Sequence, residues 1–393
     1  MSAKFLGQIW WKQVLAFGLL STVYIFIAGW LGAHWLPAIR GWGQGVPPTL
    51  QVAPNDLSAL FARWDSFYYL EIANQGYGDQ SSARAFFPLY SLVTRGINYL
   101  LGIPLLWTGL FISLVSFLGA GLAMYKWLRA DYAHELSLIS TLFMYIFPVS
   151  FFFVGFYAEP LFLFLATLGL ALARYGRFGA SGVAIALAGA TRPQAFLLAI
   201  PYCLEFRKQG SFSRRDWLHF GAGAVIAPLG TLAYAVFLSQ ESFHDAPLVY
   251  TGLIMRDWNT YLAPPWTTLI DGLGAALMGI NIQPDWFSRA VTLHDTAYAL
   301  LGLVLAVWAI GRLRLSTAAF LLSSILFFFT VHGEYGYAFD SMPRHVASLP
   351  PIFLCMALLH KRLPVRLKWI LPGVSVIMLG ILAAWFASGR WIS

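Results

Sequence analysis

Charge is what this chain has least of. Only 11% of its 393 residues are Asp, Glu, Lys or Arg, against 59% apolar residues and a mean hydropathy of +0.68. A soluble domain carries about 25% charged residues, so a single large soluble enzyme is excluded. A disordered chain is excluded as well, because that class needs low hydrophobicity and high net charge. Cysteine is nearly absent: Cys203 and Cys355 both lie in apolar runs, which argues against a disulfide framework or a thiolate metal site. No P-loop or GxGxxG stands in a strand–helix context, which argues against nucleotide-driven transport in this chain. No small-residue cleavage pattern follows the apolar stretch Val14 to Leu36, so that stretch reads as a first membrane helix rather than a removed signal. What remains is a polytopic membrane protein. At about 20 residues per span the chain has room for roughly ten helices.

The apolar runs predict eleven spans, over 13–36, 104–125, 136–155, 159–173, 178–191, 193–206, 217–239, 292–311, 316–331, 346–359 and 369–388. The stretch 86–102 is apolar but carries Arg95 near its middle, and reads as a juxtamembrane or re-entrant helix. With the N-terminus in the cytoplasm, alternate threading puts 16 of the 25 basic residues inside, including all six lysines, with only Asp131, Glu135, Glu205 and Asp216 among the acids. The outer side then holds 9 basic and 13 acidic residues. This is the asymmetry that the positive-inside rule predicts. Counting 86–102 as a full span would flip every later loop and destroy it. The whole of 1–393 thus reads as one integral membrane domain with large outer loops at 37–103 and 240–291. The net charge of +8 belongs to this asymmetry, and no nucleic acid is expected as a partner.

Several polar residues on the outer side need a reason. In the first loop, Asp56 can cap a helix and Gly76 can end it. Leu57, Leu60, Phe61, Trp64, Tyr68 and Ile72 recur at helical spacing and predict an amphipathic helix lying at the interface. Asp65 falls about 80° from Leu57, at the border of that stripe. A salt bridge or a cap is the commoner reason for an interfacial Asp. Glu159 opens a helix in Tyr157-Ala-Glu159-Pro160, where an acid complements the helix dipole. Arg192 lies between two unusually short apolar segments, at a depth that is costly unless it faces a polar cavity or a partner. Arg256-Asp257-Trp258-Asn259, His332-Gly-Glu334 and Asp340-Ser-Met-Pro-Arg344-His345 complete the set. Together they describe an outer cavity suited to a ligand with a lipid tail and an anionic phosphate, since Arg recognises phosphate bidentately. No His, Asp or Glu group has ligand spacing on one helix, so no metal and no cofactor is expected.

Arg63-Trp64-Asp65-Ser-Phe-Tyr68-Tyr69, continuing to Gly76-Tyr77 and Ala85-Phe86-Phe87-Pro88-Leu89-Tyr90, resembles the PIG-V mannosyltransferase family, of the GT-C class of polytopic glycosyltransferases. Glu159-Pro-Leu-Phe, Thr191-Arg192-Pro-Gln, Trp258, Ser341-Met-Pro-Arg344 and Gly389-Arg-Trp391-Ile follow in order. His345 departs from the pattern, which has an aromatic there, and Ser91 stands where a second Pro is common. The resemblance implies an all-α, GT-C-like bundle of about eleven transmembrane helices with amphipathic juxtamembrane helices in the first outer loop. It implies transfer of a sugar, typically mannose, from a polyprenyl- or dolichyl-phosphate donor to a lipid or glycan acceptor, with Asp65 as catalytic base. Arg192, Arg344 and His345 are the expected contacts to the donor phosphate, and Arg63, Trp64, Tyr68, Tyr69, Phe87, Glu159 and Trp258 the supporting residues. The expected setting is a bacterial plasma membrane, or the endoplasmic reticulum in a eukaryote, with a cytoplasmic N-terminus, an extracytoplasmic active site and a monomeric chain. A transporter or flippase for a lipid-linked anion is the competing class, sharing buried Arg and interrupted helices.

Overall fold

The computed structural model describes residues 9–37, 57–78, 81–208, 210, 212–242, 260–279, 286–333 and 338–392. Helices dominate. In chain order they are α1 (Trp10–Trp35), α2 (Ser66–Gln75), α3 (Leu89–Leu101), α4 (Leu105–Arg129), α5 (His134–Tyr145), α6 (Glu159–Arg174), α7 (Phe178–Gly189), α8 (Ala199–Lys208), α9 (Arg214–Ile226) and α10 (Leu229–Ser242). Strand β1 (Thr260–Leu262), α11 (Pro265–Met278), α12 (Trp286–Ala309), α13 (Leu315–Thr330), strand β2 (Val331–Gly333), α14 (Met342–Ala347), α15 (Pro350–Arg362) and α16 (Ile370–Ala387) complete the series. Five helical stretches among the described residues are long and apolar enough to cross a membrane: Trp10–Trp35, Leu105–Arg129, Arg214–Ser239, Trp286–Ala309 and Val365–Ala387. The chain is a multi-pass membrane protein. Phe178–Gly189 and Leu315–Thr330 are shorter apolar helices.

Several predicted elements change shape. The helix expected through the first loop is broken: a single 3₁₀ turn covers Leu57–Ala59, and α2 begins only at Ser66. Trp64, with φ +55°, lies between them in the left-handed region, which a continuing right-handed helix cannot contain. Leu57, Leu60, Phe61 and Trp64 therefore do not share a helical stripe with Tyr68 and Ile72. Gly76 does end α2, at φ +88°. The run 217–239 divides into α9 and α10 at Ala227-Pro228, and the run 136–155 stops at Tyr145, short of Pro148, because proline cannot sit inside a helix without losing a backbone bond. The span read over 346–359 is α15, which begins at Pro350 after the separate short α14.

Two compact units emerge. The first comprises Met1–Asn74, Tyr90–Tyr175 and Phe353–Ile392. In it α4 packs on α6, and α1 on α16. The α1–α16 crossing is backbone to backbone: a Cβ on Gly32 would stand 2.2 Å from the Ala384 carbonyl oxygen, so only glycine fits. Arg174 pairs with Asp131, and the Tyr175 hydroxyl donates to the Lys126 carbonyl at 2.9 Å. Those contacts join two loops that the charge threading put on one side.

The second unit comprises Gln75–Leu89 and Gly176–Ile352. Here α7 packs on α9 through Gly182 and Gly223, and α12 lies against α13 and α14. Strands β1 and β2 pair antiparallel, with Tyr261 opposite His332. Arg314 bonds Glu205 across two further loops threaded to one side.

Candidate functional site

In the first unit the site is built around one turn. Trp64 takes its left-handed conformation immediately before Asp65, whose backbone carbonyl accepts from the N–H groups of Tyr68 (3.1 Å) and Tyr69 (3.3 Å). Asp65 thus stands at the N-cap of α2, with only 8% of its surface exposed. A cap by itself needs no strained residue before it. A left-handed tryptophan costs of order 1–3 kcal/mol and persists only where its surroundings over-determine it. They do so here. The Tyr157 hydroxyl donates to the Arg63 carbonyl at 2.7 Å, and the Phe156 N–H donates to the Phe61 carbonyl at 3.1 Å. Arg63 Nη2 reaches the Ala387 carbonyl at the end of α16 (3.3 Å), and the Trp64 and Trp391 rings meet edge to face at 5.1 Å. Arg390 ties the same end of the chain to the Pro37 carbonyl at 3.0 Å.

Glu159 begins α6 two residues after Tyr157, so the segment that docks on the Arg63-Trp64-Asp65 turn also delivers this buried acid, which is 1% exposed. Tyr69 is buried, and its ring meets Tyr90 edge to face at 5.5 Å. Its carbonyl accepts from the Ser91 hydroxyl at 2.8 Å. That bond gives the departure at Ser91 a reason, for proline has no hydroxyl to make it. Tyr68 lies beside Phe67, partly exposed.

In the second unit, Arg192 and His345 come together. Arg192 Nη2 lies 3.2 Å from His345 Nδ1, across 153 residues. The imidazole stacks on Phe328 at 4.7 Å, so it fills the aromatic's place while offering a nitrogen that a phenyl ring lacks. Burial holds His345 well below the usual imidazole range, and the neighbouring Arg192 and Arg344 push it the same way. A neutral ring accepts the Arg192 hydrogen bond through Nδ1. Arg344, buried on α14, donates to the Ser341 hydroxyl at 2.7 Å. Ser341, at φ +60°, is the second left-handed non-glycine residue among those described.

Phe87 is buried against Tyr234 at 4.6 Å. The Tyr77 hydroxyl donates to the Phe86 carbonyl at 2.7 Å, the Tyr234 hydroxyl to the Arg84 carbonyl at 2.8 Å, and the Leu89 N–H to the Ala190 carbonyl at 2.9 Å. The Phe-Phe-Pro-Leu motif is thereby fastened beside Thr191-Arg192. His332 Nε2 stands 3.0 Å from Asp271 Oδ2, with Tyr261 stacked on the imidazole at 4.6 Å. Asp56, Arg256, Asp257, Trp258, Asn259 and Glu334 lie outside the described residues.

Sequence reasoning missed Tyr157 and Tyr234 as builders of these turns. Tyr157 was visible only as a neighbour of Glu159. Tyr234 lies in the apolar run 217–239, where a buried tyrosine has no distinguishing local signal.

Residues 47–215 match the family described as Mannosyltransferase (PIG-V). No curated protein matches the chain in sequence. Among solved structures, ArnT from Cupriavidus metallidurans bound to undecaprenyl phosphate is similar at 15% identity and a TM-score of 0.49, over 95% of this chain and 64% of ArnT. The Archaeoglobus fulgidus oligosaccharyltransferase tethered with an acceptor peptide is similar at 13% identity and a TM-score of 0.46, over 94% of this chain and 55% of its own length. The chain thus spans less than two thirds of either structure. Over residues 47–215 the chain is similar to the PIG-V mannosyltransferases, and its apolar helices make it a multi-pass membrane protein.

Proposed function

We propose that the protein transfers a sugar, mannose foremost, from a polyprenyl- or dolichyl-phosphate carrier to a hydroxyl of a lipid-linked or glycan acceptor on the extracytoplasmic face. One observation carries this reading. Trp64 and Ser341 are the two non-glycine residues with left-handed backbone among those described, and each lies in a motif that the family resemblance ties to chemistry. Residues held in sparsely populated backbone regions cluster at active sites and ligand clamps.

In this scheme the Asp65 carboxylate takes the proton of the acceptor hydroxyl as its oxygen attacks the anomeric carbon. The bond from that carbon to the carrier phosphate breaks, and its electron pair leaves with the phosphate. A phosphate is a good leaving group, so the reaction needs a base more than a strong acid. A single displacement inverts the anomeric configuration. Arg192 and Arg344 supply fixed positive charge to the departing phosphate, and neutral His345 orients Arg192. Arg63, Trp64, Tyr68, Tyr69, Phe87, Glu159 and Trp258 support the two sets.

The test incubates purified protein with polyprenyl-phosphate-mannose and a panel of lipid acceptors, and reads product mass. A mannosylated acceptor with inverted configuration is the expected product. Unchanged donor across the panel would favour the transporter class. Transfer is expected to survive a chelator, and activity restored only by a divalent ion would refute a metal-independent displacement.

A further inference from the structure

The second unit holds a cavity that the transfer scheme does not use. Helix α8 ends in Leu204-Glu205-Phe206-Arg207-Lys208, and α13 opens on Arg314-Leu315-Ser316. Glu205 is 3% exposed and ties the two ends together. It accepts from Arg314 Nη2 at 2.5 Å and from the Ser316 hydroxyl. Beside this tie lies a cavity of about 290 Å³ lined by Leu204, Arg207, Lys208, Arg314, Leu315 and Ser316. Three cations face it. Glu205 offsets one, so the wall keeps a net charge of +2.

Two features separate this cavity from an ordinary basic loop. One cation is fixed, because the buried Glu205 pins the Arg314 guanidinium, a planar fork whose geometry suits phosphate as well as carboxylate. The cations also share the cavity with Leu204 and with Leu315, which is 68% exposed at the start of an apolar helix. A freely soluble anion gains nothing from an apolar wall. A phosphodiester attached to acyl chains uses both.

We infer that this cavity is a binding site for the phosphate headgroup of an anionic glycerophospholipid. The phosphate lies among Arg207, Lys208 and Arg314, and the glycerol and upper acyl chain lie against Leu204 and Leu315. The site is separate from the donor and acceptor chemistry, and its occupancy does not depend on Asp65.

The test titrates the delipidated full chain in detergent with phosphatidylglycerol, phosphatidylcholine or inorganic phosphate, following lipid retention by native mass spectrometry and the thermal midpoint. Phosphatidylglycerol is expected to bind and raise the midpoint, and phosphatidylcholine to do neither. The double variant Arg207→Gln/Lys208→Gln should bind phosphatidylglycerol about 30-fold more weakly, since a juxtamembrane cation contributes roughly tenfold or somewhat less to anionic-lipid binding. Its midpoint without lipid should match the parent's, because both side chains are exposed. The control Arg214→Gln/Arg215→Gln removes two exposed cations that do not line the cavity, and should bind as the parent does. Equal loss in that control, equal binding of phosphatidylcholine, or full retention by the first variant would overturn the site. An equal shift from inorganic phosphate would overturn its assignment to a lipid.

Discussion

Both left-handed turns are closed by local backbone hydrogen bonds, the Phe67 N–H reaching the Trp64 carbonyl at 3.0 Å in the first, but the bracing described around them differs. Trp64 is also held from afar: its turn takes a hydroxyl from Tyr157, an edge-on ring from Trp391, and contact with the Ala387 carbonyl through Arg63. Ser341 is held from within. The backbone N–H groups of Arg344 and His345 return to its carbonyl at 3.1 and 3.2 Å, and its hydroxyl accepts from Arg344 itself. A turn closed by its own neighbours tolerates change at a distance. One braced in addition by remote segments transmits it. The contrast matches the tasks proposed for each. A base must stand within hydrogen-bond reach of the proton it removes, whereas a cation can stabilise a phosphate over a broader range of positions.

Perturbing each turn sharpens that contrast. The largest effect is expected from the reacting group itself. Asp65→Asn should lower kcat at least about 100-fold with little change in the thermal midpoint, and near-normal turnover would remove Asp65 from the role. Remote support comes next. Trp391→Ala should cut kcat about tenfold at unchanged donor KM, since a misplaced base loses rate and not binding. A rise in KM alone would place the defect elsewhere.

His345 gives a smaller, pH-dependent effect. Its imidazole titrates below the ordinary value near 6.5. As pH falls below about 6.5 the unfolded chain takes up a proton that the folded chain refuses, so stability drops. Above that pH the contribution is complete. His345→Phe keeps an aromatic against Phe328 and should flatten the fall in thermal midpoint between about pH 6.5 and 5. An unchanged acid limb would assign it to other groups.

The smallest effect is expected at Ser341→Gly. Glycine adopts positive φ without strain, so only the hydroxyl bond to Arg344 is lost, and donor kcat/KM should fall by no more than about tenfold. A loss as large as that from Asp65→Asn would mean that the second turn depends on more than its own neighbours.

The signals that could be read beforehand were local. Arg63-Trp64-Asp65 and Ser341-Met-Pro-Arg344 stand out because costly polar residues interrupt apolar sequence, and Gly76 and Glu159-Pro160 mark helix ends by ordinary capping chemistry. The break between Leu60 and Ser66 was hidden, because apolar residues keep helical spacing straight across it and only the backbone at Trp64 departs. Pro148 and Pro228 did announce breaks, yet hydropathy averaged over a span passes over a single proline. Hydrogen bonds from Tyr157 to the Arg63 carbonyl and from Tyr234 to the Arg84 carbonyl join residues 94 and 150 positions apart. Nothing in either neighbourhood announces the other.

The fastening of Arg63 to Ala387 spans 324 residues. At about 5–20 residues per second of synthesis, the Trp64 turn leaves the ribosome roughly 16–65 s before the helix that secures it. During that interval the turn bearing Asp65 lacks its final brace. Order of synthesis thus acts as a timer, and the turn is complete only when α16 is in place.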